Sequence, residues 1–285
     1  MQRYRLVFNL AATIVPAIGG FMATRSFEML FYADVVLSIV VSVFVFYFLP
    51  ETKPESKEVS KRENSLLQTF KGYRIIFKDK LYMAFLLATS FSTLMYFNMN
   101  SSMSVYLVNH RGITPEQFGY ILSLNAGMVV FLQIFITRVT AKWKAMLAIV
   151  LGNLLYVVGF TMYGIFDSYV MFIIAMVIIT IGEMIYSPKE QMIAVNIAPE
   201  DMRGRYMAVH SFSWIIPIAI GPLGAGLIMD NFDPRYVWFA AGFIGIIATL
   251  GFLRLHFKAQ GRFEGNGGKE SNGRNFAFQD LVLPL

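Results

Sequence analysis

Eight long runs of apolar residues set the strongest limit on how this chain can fold. They cover residues 6–23, 29–48, 81–108, 117–137, 145–166, 168–187, 206–229 and 236–253. Each is close to the ~20 residues that a helix needs to cross the hydrocarbon core of a bilayer. Two carboxylates, Asp34 and Glu183, and no Lys or Arg lie inside them. Backbone groups in lipid must bond within their own segment, so we predict eight transmembrane helices in an all-α polytopic membrane protein.

Composition excludes several other classes of protein. Apolar residues make up 56% of the 285 residues and charged residues 15%, against roughly 25% charged in a soluble domain. The net charge of +6 comes from cations between the apolar runs, which suits a membrane surface and not nucleic acid. The chain has no cysteine and three widely separated histidines, so we expect no metal site and no cofactor. It has no HExxH or GxSxG motif, and we do not expect an enzyme.

The basic residues also predict an orientation. With the N-terminus in the cytoplasm, 21 of the 24 Lys and Arg residues fall on the cytoplasmic side. The other three are Arg25, Arg111 and Arg235. This bias predicts that both termini are cytoplasmic in a multi-pass protein of the plasma (inner) membrane. The first run could alternatively be a secretory signal, but Pro16 and the Gly19-Gly20 pair interrupt its apolar stretch.

Two polar stretches divide the chain. Residues 50–80 carry both signs of charge, and within them residues 65–77 have the spacing of an amphipathic helix along the inner face of the membrane. The Gly- and Asn-rich residues 259–285 are expected to be a disordered cytoplasmic tail. We therefore predict two helices in residues 1–49, a cytoplasmic loop in 50–80 and a six-helix bundle in 81–258.

The first and seventh runs share features that indicate an internal repeat. Both begin with Arg-Tyr and carry Pro and Gly in their second half. The matching residues are Pro16, Gly19 and Gly20 in the first run, and Gly221, Pro222, Gly224 and Gly226 in the seventh. Similar pairs of helices six spans apart are typical of transporters built from two parallel six-helix halves.

The motifs resemble those of the major facilitator superfamily, in particular its drug–proton antiporter branch. Residues 4–20 are similar to the motif of the fifth helix, and residues 197–207 resemble the cytoplasmic loop entering the eleventh helix. Residues 221–226 resemble the body of that helix, and residues 136–144 the second-half copy of a cytoplasmic loop motif. The resemblance implies an incomplete fold, made of the last two helices of the N-terminal half and the six-helix C-terminal half. The first four helices of the family would precede Met1.

This resemblance implies a secondary active transporter. We expect proton-coupled efflux of small amphipathic compounds by alternating access, with protons, the small-molecule substrate and the lipid bilayer as partners. The alternative is a truncated, transport-inactive membrane protein, or a subunit that needs a partner chain.

The two carboxylates within the runs are candidates for coupling or gating. A charge in lipid is costly unless it is paired or faces water. Asp34 lies near the predicted outer edge, and it is either a proton or cation site or a carboxylate bonded near the outer gate. Glu183 lies near the predicted cytoplasmic edge, where it could pair with Arg138, Lys142 or Arg203 as an inner gate. A proton site and an ordinary interfacial carboxylate are the alternatives for Glu183.

Polar and small residues in the runs supply the remaining candidates. Asn98, Asn100, Asn125 and Trp214 are predicted to line a substrate cavity, although bonding between helices is the alternative for each. The other polar residues of this kind are Gln133, Asn153 and His210. The glycines and prolines of the two matching motifs either pack helices closely or bend them at a gate.

Overall fold

The computed structural model describes residues 27–48, 73–199 and 202–258. All regular structure in these ranges is helical. Residues 73–78 are helical, and the main helices follow in chain order: α1 Phe27–Phe48, α2 Lys80–Phe97, α3 Ser102–Val105, α4 Pro115–Val139, α5 Ala145–Ile165, α6 Tyr169–Ile197, α7 Arg203–His210, α8 Phe212–Asn231 and α9 Tyr236–Lys258. A π-helical turn, Tyr106–His110, continues α3.

Several predictions fall outside the described residues. They are the first span, the motif with Pro16, Gly19 and Gly20, most of the amphipathic segment 65–77 and the tail 259–285. In the described part, six helical segments are long and apolar enough to cross a membrane: Lys80–His110, Pro115–Val139, Ala145–Ile165, Tyr169–Ile197, Arg203–Asn231 and Tyr236–Lys258. They correspond to the last six predicted spans and make the chain a multi-pass membrane protein. The total of eight spans stays a prediction.

Three predicted spans differ in detail from the helices. The third is interrupted between α2 and α3, where polar side chains replace helical bonds: Asn98 donates to Leu94 O at 2.9 Å and accepts from Ser102 Oγ at 3.1 Å. The seventh is divided at Ser211 into α7 and α8. The sixth does not end before Pro188 but runs on to Ile197.

The six helices pack in a fixed order of neighbours, α4–α6–α5–α9–α2–α8. α5 and α9 are therefore central, and α4 and α8 form the two flanks. Among the described residues, no helix packs extensively against α1, and most of its side chains are exposed.

The tightest contact in the bundle is the crossing of α5 and α6. A Cβ added to Gly152 would lie 2.9 Å from Gly182 O, and one added to Gly182 would lie 2.7 Å from Gly152 O. Further along the same interface, a Cβ on Gly159 would lie 2.9 Å from Ala175 O. Helices in lipid gain their cohesion from such close approach of small residues, because burial of apolar surface supplies little there.

Asn153, next to Gly152, connects three helices inside the bundle. Its fully buried amide donates to Gly245 O and Thr249 Oγ1 of α9, both at 2.8 Å, and accepts from Ser92 Oγ of α2 at 2.5 Å. All hydrogen-bonding positions of this side chain except one oxygen lone pair are thereby used. Asn153 is therefore a packing residue, in agreement with the interpretation that it forms hydrogen bonds between helices.

The two ends of the bundle differ in charge. The basic end carries the cations at the start of α2 and at the ends of α4 and α9. At the opposite end one exposed carboxylate, Asp167, joins three loops: Arg111 Nη1 lies 2.8 Å from its Oδ1 and Arg235 Nη2 lies 2.8 Å from its Oδ2. Arg111 Nε also donates to Tyr106 Oη at 2.7 Å, and Tyr106 packs edge-on against the buried Trp238. We call the set Asp167, Arg111 and Arg235 the clasp.

Replacing Gly152 with Ala should destabilise the protein by ~1–3 kcal/mol, the usual cost of adding atoms to a close-packed interface. The added methyl would have to push apart two backbones. The melting temperature of the purified variant in detergent should fall. Gly127→Ala in α4 is the control, because no atom of the described residues lies within 4 Å of its Cβ position. Equal melting temperatures for the two variants would contradict the tight crossing.

Candidate functional site

Three side chains from three helices meet halfway along the bundle. Asn125 of α4 donates from Nδ2 to Glu183 Oε2 and to Thr180 Oγ1 of α6, both at 3.0 Å. The phenol of Tyr96, near the end of α2, faces the same carboxylate and interacts with it. We call Glu183, Asn125 and Tyr96 the central cluster.

The central cluster lies at mid-depth in all three spans. Glu183 stands 14 residues from each end of α6, which is ~21 Å at 1.5 Å per residue. Asn125 and Tyr96 are likewise near the middle of the spans Pro115–Val139 and Lys80–His110. The sequence placed Glu183 near the cytoplasmic edge because the span was ended at Ser187, and that placement is wrong.

The sequence predicted an inner gate in which Glu183 pairs with Arg138, Lys142 or Arg203. The described structure does not bring Glu183 and Arg138 together, and the gate role stays a prediction. Glu183 bonds Asn125, and Arg138 lies 13 residues further along α4, ~20 Å away along the helix axis. The ion pairs among the described side chains involve Asp167 and Glu190, and none involves Glu183. The partners of Glu183 are thus the amide of Asn125 and the phenol of Tyr96.

The cluster opens on one side of the bundle. Glu183, Asn125 and Tyr96 are each half-buried, in contrast to the fully buried Asn153. α4 is the most exposed of the six long helices, and Phe131 on it is 82% exposed. The half-buried cluster therefore lies beside the most exposed of the six long helices.

A row of aromatic rings leads from the cluster towards α8. Tyr96 and Phe97 have ring centroids 6.1 Å apart, and Phe97 meets Trp214 edge to face at 5.9 Å. Trp214 is half-buried at the start of α8. The structure therefore brings two predicted cavity residues, Asn125 and Trp214, to the same side of α2.

The other predicted site residues lie elsewhere. Asn98 is buried and bonds within the break between α2 and α3, so it does not line an opening. Asn100 is exposed in that break. Asp34 is exposed on α1, and its role stays a prediction.

The glycine motif of α8 divides into two sides. The side that packs on α2 is formed by buried Ser213, Pro217, Gly221 and Ala225. A Cβ on Gly221 would lie 3.3 Å from Leu94 Cδ1, whereas nothing described lies within 4 Å of the Cβ positions of Gly224 and Gly226. Gly221 thus packs on α2 in the described part of the chain, whereas the packing role of Gly224 and Gly226 stays a prediction. Pro222 lies inside the helix.

Gln133 explains why α6 continues through Pro188. Proline has no N–H, so the carbonyl of Met184, four residues earlier, loses its helical donor. Gln133 of α4 supplies a replacement by donating from Nε2 to Met184 O at 3.1 Å. This substitution lets α6 cross the whole bundle and places Glu183 at its midpoint.

A second polar group occupies the basic end. His210 Nε2 and Glu190 Oε1 are 2.5 Å apart, and both side chains are buried. Nearby, Tyr82 donates to Tyr206 O at 2.7 Å and Lys189 donates to Ala141 O at 3.4 Å. The sequence analysis missed Glu190, because the predicted span ended at Ser187, just before Pro188. The available signal was an acidic residue three positions after an apolar run.

Comparison with known proteins identifies the family. The Major Facilitator Superfamily model matches residues 3–214 and 85–281, which together include nearly the whole chain. The chain belongs to the major facilitator superfamily. This confirms the family resemblance drawn from the sequence motifs.

Two bacterial relatives illustrate the match. The superfamily member is 24% identical over 257 residues to the uncharacterized MFS-type transporter YdeE of Escherichia coli (strain K12), covering 87% of this chain and 62% of the relative. It is 26% identical over 274 residues to a Na(+), Li(+), K(+)/H(+) antiporter of Planococcus maritimus, with the same coverage. The chain thus spans about three-fifths of the length of these relatives.

A solved structure shows the same fold. The crystal structure of a POT family transporter in complex with a thioalcohol-conjugated peptide aligns with a TM-score of 0.53 at 19% identity. The alignment covers 90% of this superfamily member and 54% of that transporter.

The bond from Gln133 to the carbonyl of Met184 can be tested by a double-mutant cycle. Gln133→Leu should cost ~1–3 kcal/mol, because it leaves that carbonyl without a donor. In a Pro188→Ala background the cost should be much smaller, since residue 188 regains its N–H. Unfolding by denaturant in detergent measures all four variants. Equal costs of Gln133→Leu in both backgrounds would contradict the replacement.

Breaking the buried pair at the basic end should be more harmful than removing it. His210→Leu should destabilise the protein by about 3–5 kcal/mol, because Glu190 is left buried without its partner. Glu190→Leu/His210→Leu should recover most of that loss. If the double variant is less stable than His210→Leu in the same denaturation assay, the pair does not behave as a buried ion pair.

Proposed function

We propose that this superfamily member acts as a secondary active transporter that exchanges protons for small amphipathic compounds, with the central cluster as the site where they compete. The observation that carries the proposal is a half-buried carboxylate at mid-depth, Glu183, which accepts a hydrogen bond from the neutral amide of Asn125. Ionisable residues in transmembrane segments mark substrate and proton pathways.

The surroundings of Glu183 suit both ligands. A carboxylate that has an amide and a phenol beside it, and no ion pair among the described residues, can bind either a proton or a cation. The rings of Tyr96, Phe97 and Trp214 offer apolar and π surface to an amphipathic cation. Binding of one ligand would exclude the other, which is sufficient to couple their movements in opposite directions. The antiporter among the relatives supports this choice of mechanism.

The location of the site fits alternating access. Transporters with repeated halves bind their substrates near the bilayer midplane, between the halves. The described six-helix bundle would form one wall of that cavity. The protein would lie in the plasma membrane, with the basic end of the bundle facing the cytoplasm.

A second candidate is a protein that requires a partner chain or is inactive in transport. The chain spans 62% of the relatives' length, and the described bundle would supply one wall of a cavity that has two. The two candidates differ in whether the 285-residue chain moves protons alone.

Glu183→Gln should reduce substrate-driven proton flux at least about tenfold. A hydrogen bond to a charged group contributes ~1.5–3 kcal/mol, and about 1.4 kcal/mol corresponds to tenfold. Liposomes that contain the chain and a pH-sensitive dye would be given an amphipathic organic cation or, separately, Na⁺ and K⁺. Proton release from the wild type in response to the organic cation is the expected result.

Glu116→Gln is the matched control. Glu116 is an exposed carboxylate in the first turn of α4, and among the described residues it bonds only Tyr120. Wild-type flux in Glu183→Gln would contradict the proposed site. Proton release in response to Na⁺ and K⁺ but not to the organic cation would show that the substrates are alkali-metal cations and not amphipathic compounds. Absence of flux in the wild type would favour the partner-dependent alternative.

A further inference from the structure

A groove on the outside of the bundle combines an apolar floor with a cationic end. It lies between α2 and α9, on a different side of α2 from Tyr96 and Trp214, and has a volume of about 510 Å³. That is within the range of ~300–1,000 Å³ typical of sites for small ligands. The groove is lined by Lys80, Leu81, Ala84, Leu87, Ala88, Phe91, Ile247, Gly251, Arg254, Leu255 and Lys258.

The groove exists because small residues face each other across the two helices. Ala84 and Ala88 of α2 lie opposite Gly251 of α9, and a Cβ added to Gly251 would lie 3.2 Å from Ala88 Cβ. Larger residues rise at the sides, and Leu87 is 58% exposed. The result is a trough along the helices whose walls are aliphatic and aromatic.

Three cations stand together at one end of the trough. Lys80 begins α2, and Arg254 and Lys258 lie in the last two turns of α9. All three are exposed, and none forms an ion pair with a carboxylate of the described residues. The carboxylate of the nearby Asp79 has other partners. It caps α2 by accepting from Tyr82 N, and it also accepts from Tyr206 Oη.

The length of the trough matches one leaflet of a bilayer. From Lys80 to Phe91 on α2, and from Lys258 to Ile247 on α9, the distance is 11 residues or ~16 Å. Half of a ~30 Å hydrocarbon core is ~15 Å. A molecule with its charged group at the three cations would therefore reach the middle of the membrane with its apolar part.

We propose that this groove binds an anionic phospholipid, with the phosphate at Lys80, Arg254 and Lys258 and an acyl chain over Ala84, Ala88 and Gly251. Basic pockets between transmembrane helices recognise anionic headgroups, and each nearby Lys or Arg contributes to the attraction. The long side chains of Lys and Arg can lie along the helix while their charges reach the headgroup region. Because the groove is lined by residues of both α2 and α9, the bound lipid would stabilise that helix pair.

The test is lipid-dependent thermal stability of the full chain in detergent. Phosphatidylglycerol should raise the melting temperature, and phosphatidylcholine with the same acyl chains should raise it less. Arg254→Gln/Lys258→Gln should weaken phosphatidylglycerol binding about tenfold or more, as expected for the loss of two headgroup cations. Native mass spectrometry of the same samples counts the lipids bound.

Lys142→Gln/Arg205→Gln is the matched control, because it removes two cations at the same end of the bundle but outside the groove. It should keep the wild-type response. Ala84→Phe should fill the trough from an exposed position and also weaken binding.

Three outcomes would overturn the proposal. Equal stabilisation by the two lipids would show that the cations do not select a headgroup. Equal responses of the two double variants would place the lipid elsewhere. Stabilisation by inorganic phosphate alone, to the same extent as by phosphatidylglycerol, would make the cations a site for free anions.

Discussion

The contact between the backbones of α5 and α6 at Gly152 and Gly182 determines where the important polar side chains of the bundle lie. Each glycine is followed by a polar residue, and the crossing sends the two in different directions. Asn153 enters the core and bonds α2 and α9, whereas Glu183 is half-buried and bonds Asn125 of α4. A single close approach, possible only without side chains, thus fixes both the central packing of the helices and the position of the candidate site.

Hydrogen bonds from amides and pairs that include a carboxylate occur at different depths of this bundle. At mid-depth the helices are joined by amides: Asn153 in the core, Asn125 beside Glu183 and Gln133 beside Pro188. Charged pairs occur at the two ends, as Glu190 with His210 and Asp167 with its arginines. Neutral links at the middle avoid the cost of desolvating ions. They also leave Glu183 without a fixed counter-ion among the described residues, which an exchange site requires.

Apolar run length was sufficient to predict the last six spans, because the bilayer imposes the same minimum on every helix. It failed at Pro188, where the rule that proline ends a helix was overruled by Gln133, 55 residues earlier in the chain. That error moved Glu183 to the wrong depth and hid Glu190. The partners of Glu183 were not predictable either, since Asn125 and Arg138 lie on the same helix and only the packing of α4 on α6 distinguishes them. Family motifs identified the fold, but the contacts of single residues required three dimensions.

The exposed position of Asp167 gives the two ends of the molecule different sensitivities to salt. Mobile ions screen exposed charges, with a Debye length of ~8 Å at physiological ionic strength, but act little on buried pairs. The loops gathered by the clasp would loosen as ionic strength rises, while Glu190 and His210, buried at the basic end, would keep their contact. The helices would then separate only at the end of the bundle that carries the clasp. Under the proposed alternating-access mechanism, the ionic composition of the solution beside the clasp would then help to set the balance between the two states of the bundle.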